Sequence, residues 1–464
     1  MEKTPKVNTK RDLTQGSVVK KLIIFALPLM ASNLIMQLYN VADSIIVGQF
    51  VGSDALAAVG VSFPVMMFFN ALFMGVATGT GIVVSQFFGA KNQESLEKAV
   101  STTFSLTMIV GGIITVIGLF LSKPLLHLLG TPDNILNDAA AYLAIIYIGT
   151  IGNMVYMIGS GILRGMGDSK WPLYFLIFSS VMNVFLDLLF VAVFGWGVPG
   201  VAWATMISHF AAGVLVYFRI NKGDYGVKLS FRKLRIDAFS AKTIIRLGLP
   251  SGIQSMAMSV GSMIIQSFAN RFGSNFIAAN SIVMRTDGFA IMPMFAIGMA
   301  VTTFVGQNIG AGKLDRVKHG IRTAALLIIG IGAAMGVILW FSGIYLMRAF
   351  TQAEVVLEIG ERGIKVLAFF YCFMGLDQCF SGAMRGAGAA VAPMTTGLLA
   401  NLARIPLAYF LAVLPNDYMG LFYSMSITMV LSSTMIYIYY RKGNWRSKAI
   451  VRRAEAEEIP VPAE

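Results

Sequence analysis

LIIFALPLMASNLIMQLYNVADSIIVGQF, residues 22–50, decides how the chain is read. A helix of about 20 apolar residues crosses the hydrocarbon core of a bilayer, and this stretch is longer than that. It nevertheless carries a carboxylate, Asp43, which costs roughly 2.5–3.5 kcal/mol at mid-membrane on insertion scales. Asp43 shares a helical face with Asn40 and Met36, and Asn33, Gln37, Asn40 and Ser44 continue a polar stripe at helical spacing. One side of this helix therefore meets protein, water or ligand. A single intramembrane polar group can serve only to hold two helices together, but an acid at this depth marks a functional site by default.

The rest of the composition agrees with a membrane setting. Of 464 residues 56% are hydrophobic and 13% charged, and the mean hydropathy is +0.72. An average soluble domain is about 25% charged, so this is a polytopic membrane protein. The first 21 residues are polar and basic, and the run that follows is too long for a signal-peptide core and has no evident cleavage site. Cys372 and Cys379 lie seven residues apart on one predicted helix, about 10 Å along its axis, too far for a disulfide between them. The three histidines are scattered and offer no metal-ligand spacing.

Apolar runs fall near residues 22–50, 55–84, 99–121, 139–163, 171–195, 199–219, 244–270, 276–305, 321–345, 362–384, 391–414 and 418–440. They predict an all-α fold of twelve spans. Of the 36 Lys and Arg, most lie in the tails and in the loops on the same side as the tails, while Lys123, Arg271, Arg348, Arg362 and Lys365 lie opposite. By the positive-inside rule both termini are cytoplasmic. The expected organisation is a tail (1–21), a first lobe (22–219), a basic linker (220–243), a second lobe (244–440) and a tail (441–464). The net charge of +13 reflects topology and contact with anionic lipid, not nucleic acid.

The two halves resemble each other. VGSDALAA (51–58) recurs as FGSNFIAA (272–279), SQFFGAKN (85–92) as GQNIGAGK (306–313), and LRGMGDSKWP (163–172) as MRGAGAAVAP (384–393), all at an offset of 221. FALP (25–28) recurs as LGLP (247–250). Six spans separate matching elements, so the repeat is parallel: two six-helix lobes around a central cavity, suited to a transporter working by alternating access. The RGxG segments are read as turns needing φ > 0, with arginines that serve the positive-inside rule.

These motifs together resemble the multidrug and toxic compound extrusion (MATE) family, over essentially the whole chain. The resemblance implies export of bulky, often cationic and aromatic compounds in exchange for inward H+ or Na+. It also implies an ion site in the first lobe built from Asp43 on span 1, Asn183 and Asp187 on span 5 and Thr205 on span 6. Independently of the family, Asn183 and Asp187 are i, i+4 and share a face. Two carboxylates with amide and hydroxyl oxygens suit a shared proton or an oxygen-coordinated Na+ alike. Where the family has a Pro after the span 5 acid, Leu188 stands here, which leaves local helix breaking open. Another branch of the family has acids on spans 7 and 10. Span 7 has none here, where Met258 lies near that position, and Asp377 on span 10 is about one turn displaced, so a second-lobe ion site is weakly supported.

Methionine, 28 residues, and phenylalanine, 33, suit a pocket accepting several shapes, though most are expected to face lipid or fill helix packing. Candidate substrate contacts are Met36, Gln37 and Asn40 on span 1 with Met256 and Ser259 on span 7. Pro28 is the candidate bending point of span 1. Arg285 and Asp287 are two apart and point in different directions, and Arg404 has no evident partner. The expected partners are small-molecule drugs and toxic organic cations, with membrane lipids around a monomer in the cytoplasmic membrane of a prokaryote. No cofactor beyond the coupling ion is expected. A lipid-linked-saccharide flippase is the alternative, but it would need more basic residues facing the cavity. An enzyme would need clustered His and carboxylates on facing helices, and ATP-driven transport a GxxxxGK[ST] loop; the sequence has neither. A channel would not need the duplicated lobes with acids concentrated in one.

Overall fold

The computed structural model describes residues 11–128, 130–223, 225–229, 235–451 and 454. All of the apolar runs are helical. The first six spans are α1 (Val18–Phe50), α2 (Ser53–Ala90), α3 (Gln93–Leu128), the pair α4 (Asp133–Ile148) and α5 (Thr150–Gly165), α6 (Lys170–Asp187) and α7 (Gly197–Lys222). The next six are α8 (Ala238–Ala269), α9 (Gly273–Gly310), α10 (Leu314–Arg348), the pair α11 (Glu354–Ala368) and α12 (Tyr371–Gly386), α13 (Val391–Ala408) and α14 (Met419–Lys442). Large apolar side chains remain exposed along them, Phe120 at 79% and Phe341 at 72%, as a lipid-facing surface requires.

The fourth and tenth spans are longer than their apolar runs and are broken. Helices α4 and α5 meet at Gly149 with a bend of 52°, and α11 and α12 meet at Phe369 and Phe370 with a bend of 49°. A side chain at Gly149 would collide with Met206 of α7. The duplication thus extends to three dimensions. α5 and α12 begin and end at the offset of 221, as do α6 and α13, and both α6 and α13 run on into a π-helical turn, Leu188–Val193 and Tyr409–Val413. The helix pattern therefore does break after Asp187 without a proline. The RGxG turns carry positive φ at Gly167 (82°) and Gly388 (85°).

Close backbone approach replaces hydrophobic driving force inside a membrane. In the first half, a Cβ on Gly161 of α5 would lie 2.6 Å from the Ala77 carbonyl of α2. In the second half, Gly382 of α12 meets the Gly298 carbonyl of α9 at the repeat-equivalent place. A GxxxG pair adds a further contact: Cβ atoms on Gly75 and Gly79 of α2 would lie 2.6 Å from the Gly248 carbonyl and 2.5 Å from the Ile244 carbonyl of α8.

The chain divides into two compact units, and the division cuts through helices. Leu27–Gly252 belong to the first and Ile253–Arg453 to the second, but Leu13–Ala26 belong to the second. α1 thus changes unit beside Pro28 and α8 beside Pro250. In the second unit the segment before α1 is fastened to α9 and α10. The Leu13 N–H donates to Gln307 (3.0 Å), Asn308 Nδ2 to the Leu13 carbonyl (3.3 Å), and Arg316 to the carbonyls of Leu13 (3.2 Å) and Gly16 (2.8 Å). In the first unit Asp168 is the organising acid. Its Oδ1 accepts from the N–H groups of Lys170 and Trp171 at the start of α6 (3.3 Å each). Its Oδ2 accepts from the Tyr225 hydroxyl (2.7 Å) and pairs with Arg11 (3.2 Å) and Arg219 (3.9 Å).

Candidate functional site

The polar face of α1 and the buried acid of α6 converge in the first unit. Asn183 and Asp187, one turn apart on α6, are buried to 1% and 0% exposure, and Thr205 of α7 to 7%. Asp43 of α1 is half-buried, and its carboxyl comes within hydrogen-bonding reach of that of Asp187. The four residues that the sequence singled out are thereby brought into one cluster.

Its hydrogen bonds fix how each group points. The Asn183 amide is satisfied at both ends when its nitrogen donates to Asp187 Oδ2 at 2.8 Å and its oxygen accepts from the Thr205 N–H at 3.2 Å. The Thr205 hydroxyl donates to the Val201 carbonyl at 3.0 Å, which turns its lone pairs toward the cluster. One oxygen of each acid, Asp43 Oδ1 and Asp187 Oδ1, is buried with no hydrogen-bond partner among the described residues. Buried polar atoms are seldom left so.

Two tyrosines complete the site, and the sequence reading missed both. The Tyr39 hydroxyl of α1 reaches Thr205, and Tyr142 of α4 lies within electrostatic range of both acids. Tyr39 was findable, since it precedes Asp43 by four residues on the same helical face. Tyr142 carried no signal, because it lies far from both acids in sequence and on another helix. The π-helical turn that follows Asp187 is also of a kind that concentrates at functional sites.

The arrangement has a definite electrostatic capacity. Two ionised carboxylates about 4 Å apart repel by about 4 kcal/mol even at an effective dielectric of 20. Two such carboxylates close together therefore favour a positive charge between them over joint ionisation. Among the described residues no group of three His, Cys, Asp or Glu forms a conventional metal site.

Of the candidate substrate contacts, Met36, Gln37 and Asn40 are exposed on α1, Met256 is half-buried and Ser259 exposed on α8. None is a hydrogen-bond partner of the carboxylate cluster among the described residues. Ser259 donates to the Ser255 carbonyl at 3.2 Å. Pro28 lies inside a continuous α1, where it removes the hydrogen bond to the Ile24 carbonyl, and Ser32 donates back to the Pro28 carbonyl at 2.8 Å, a contact that bends helices. Asp377 accepts from Ser432 at 2.7 Å.

Comparison with known proteins gives the family and the fold. The MatE family model matches the chain twice, over residues 28–189 and 250–410, in register with the internal repeat. The probable multidrug resistance protein YpnP of Bacillus subtilis is 33% identical over 94% of this chain and 98% of its own. The probable multidrug resistance protein YoeA of the same organism is 31% identical over 97% and 98%. Among solved structures, a MATE protein in its bent conformation superposes with a TM-score of 0.88 at 23% identity, covering 97% of this chain and all of the other, a likeness of fold. The chain belongs to the MatE family of multidrug efflux transporters, and it is a multi-pass membrane transporter, not an enzyme.

Proposed function

We propose that the protein is a secondary active antiporter, which exports bulky, often cationic or aromatic compounds as H+ or Na+ enters. The observation that carries this reading is the approach of Asp43 and Asp187 inside the helical bundle of the first unit, with Asn183, Thr205 and Tyr39 around them. A site with room for one positive charge takes either the coupling ion or the charge of a cationic substrate, and that competition is what exchange requires. Filling it neutralises the α1 carboxylate. α1 can respond at Pro28, where one backbone hydrogen bond is missing already, so ion occupancy couples to the bending of the helix and to alternating access.

Met36, Gln37 and Asn40 on α1, with Met256 and Ser259 on α8, are assigned to the substrate path, since exposed flexible and amide side chains accept varied shapes. The basic tails and their same-side loops support cytoplasmic termini, in the cytoplasmic membrane of a prokaryote, with a monomer as the working form.

The test is efflux of a fluorescent cationic dye from proteoliposomes, driven separately by a pH gradient and a Na+ gradient. Transport under one gradient, lost in Asp43→Asn and in Asp187→Asn, is the expected result and names the ion. Efflux that survives both substitutions refutes the site. No dye movement under either gradient with folded protein refutes the antiporter and turns the search to lipid-linked substrates.

A further inference from the structure

In the second unit α9 carries an arginine well inside its membrane-spanning length. Arg285 lies about 18 Å of helix beyond the start of α9 at Gly273, too deep for the snorkelling of basic side chains near helix ends. Its neighbour Asp287 is 3% exposed. Arg285 itself is exposed and takes part in no ion pair or hydrogen bond among the described residues. A guanidinium keeps its proton in a protein, so this face of α9 bears a permanent, unpaired positive charge. At the offset of 221 its counterpart in the first half is Pro64.

The face is not built for lipid. Ser274, Ala278, Ser281 and Arg285 are exposed at i, i+4, i+7 and i+11, one stripe of small and polar residues. By contrast, α10 exposes Leu326, Val337, Ile338 and Phe341. α8, joined to α9 through Asn270–Phe272, has a stripe of the same kind, with Ser259, Ser262 and Gln266 exposed at helical spacing. An intramembrane charge in such company faces a water-filled path.

Hydrogen bonding sets what that path offers a ligand. Ser259, Ser262 and Ser281 donate their hydroxyl protons to backbone carbonyls of their own helices, at 3.2, 2.9 and 2.8 Å, and Gln266 Nε2 donates to Asn270 at 3.0 Å. The serines therefore present lone pairs outward, and the strong donor of the two stripes is Arg285. From Ile253 to Gly310 the sequence has no acid but the buried Asp287, and Asp377 of α12 accepts from Ser432 at 2.7 Å. Phe289, one turn from Arg285 on the same side, is 57% exposed.

We propose that Arg285 is an anion-binding group on the substrate path of the second unit. It takes the carboxylate of an amphiphilic substrate whose aromatic body rests on Phe289. The guanidinium fork matches a carboxylate in two parallel N–H···O bonds. The inference rests on the efflux reading above and extends its substrates from cations to zwitterions that carry an acid.

The full-length protein tests it with one xanthene dye in two forms, the free acid and its methyl ester, which differ by one carboxylate. Binding to monodisperse protein in neutral detergent is read by fluorescence anisotropy. Arg285→Gln is expected to weaken the free acid about tenfold or more, the effect of one hydrogen bond to a charged group, and to leave the ester within about twofold. Arg285→Lys keeps the charge without the fork and should recover part of the loss. Equal losses for both dyes, or no loss for the free acid, overturn the assignment. Phosphatidylglycerol added to the micelles separates two sources of an acid group. If it displaces the free acid from wild type as strongly as an excess of that acid does, Arg285 is a lipid-phosphate site and the substrate assignment is overturned. Binding needs no gradient, so failure of the antiporter reading shows separately, as the absence of gradient-driven ester efflux from proteoliposomes.

Discussion

Asp168 is 5% exposed and serves five groups at once: two backbone N–H groups at the start of α6, the Tyr225 hydroxyl, and the guanidiniums of Arg11 and Arg219. Asp168→Asn keeps the shape and an acceptor oxygen for the N–H groups but deletes the charge. Removing one partner of a buried ion pair costs about 3–5 kcal/mol, because the other charge is left behind. Here the low end applies, since both guanidiniums keep an aromatic face. Arg11 lies 4.5 Å above the Tyr225 ring and Arg219 4.4 Å above that of Trp171, contacts worth about 0.5–1 kcal/mol each at exposed sites and more when desolvated. A loss of about 3 kcal/mol corresponds to a fall in Tm of about 6–12 °C for a unit of this size. Thermal unfolding in detergent, followed by tryptophan fluorescence, measures it. Trypsin gives a local readout, because cleavage after Arg11 should accelerate in the variant as that side chain loses its anchor. The double variant Arg11→Gln/Asp168→Asn should lose less than the sum of the single losses. A variant that melts within 1 °C of wild type, the order of what an exposed pair contributes, or fully additive losses, would refute the view that this acid organises the end of the first unit.

Burial and the neighbouring Asp168 carboxylate push the Tyr225 hydroxyl well above its ordinary range. A raised value in the fold means that this contribution to stability is fully present below about pH 10 and is lost as pH climbs beyond it toward the folded value. Chemical-denaturation curves at rising pH should therefore fall more steeply for wild type than for Tyr225→Phe. Gly79→Ala sets a Cβ 2.5 Å from the Ile244 carbonyl, and overpacking of this kind costs about 1–3 kcal/mol; a lower Tm and a smaller yield of monodisperse protein should report it. Lys91 ends α2 in the left-handed region at φ 57°, where its repeat counterpart is Gly312 at φ 70°. Lys91→Gly should therefore stabilise by about 1 kcal/mol, read as a rise in Tm of about 2–4 °C.

The twelve spans were legible because the bilayer imposes a length and an apolar character that few other constraints produce, and the lobe-to-lobe offset because turn motifs such as GAKN and RGMG keep their spacing. The bends at Gly149 and at Phe369 and Phe370 were not legible, since neither lies at a proline or in a break of the apolar run. At the site, Asp43, Asn183, Asp187 and Thr205 could be named from a resemblance and from one-turn spacing. Tyr142 could not, because its contact exists only in the folded bundle. Leu188 misled in a useful way: the sequence ties helix breaking to proline, whereas the π-helical turn at Leu188–Val193 arises without one.

The passage of α1 and α8 from one unit to the other, each beside a proline, bears on how such a chain is assembled. A cut in the linker between α7 and α8 yields two pieces, and neither is whole. The first piece lacks Ala238–Gly252, which its unit needs, and carries Leu13–Ala26, which belongs to the other. Each half of the sequence thus carries a segment that belongs to the other unit: Leu13–Ala26 in the first half and the start of α8 through Gly252 in the second. Separately expressed halves should fold only together, and translation past Gly252 is needed before the first unit can close.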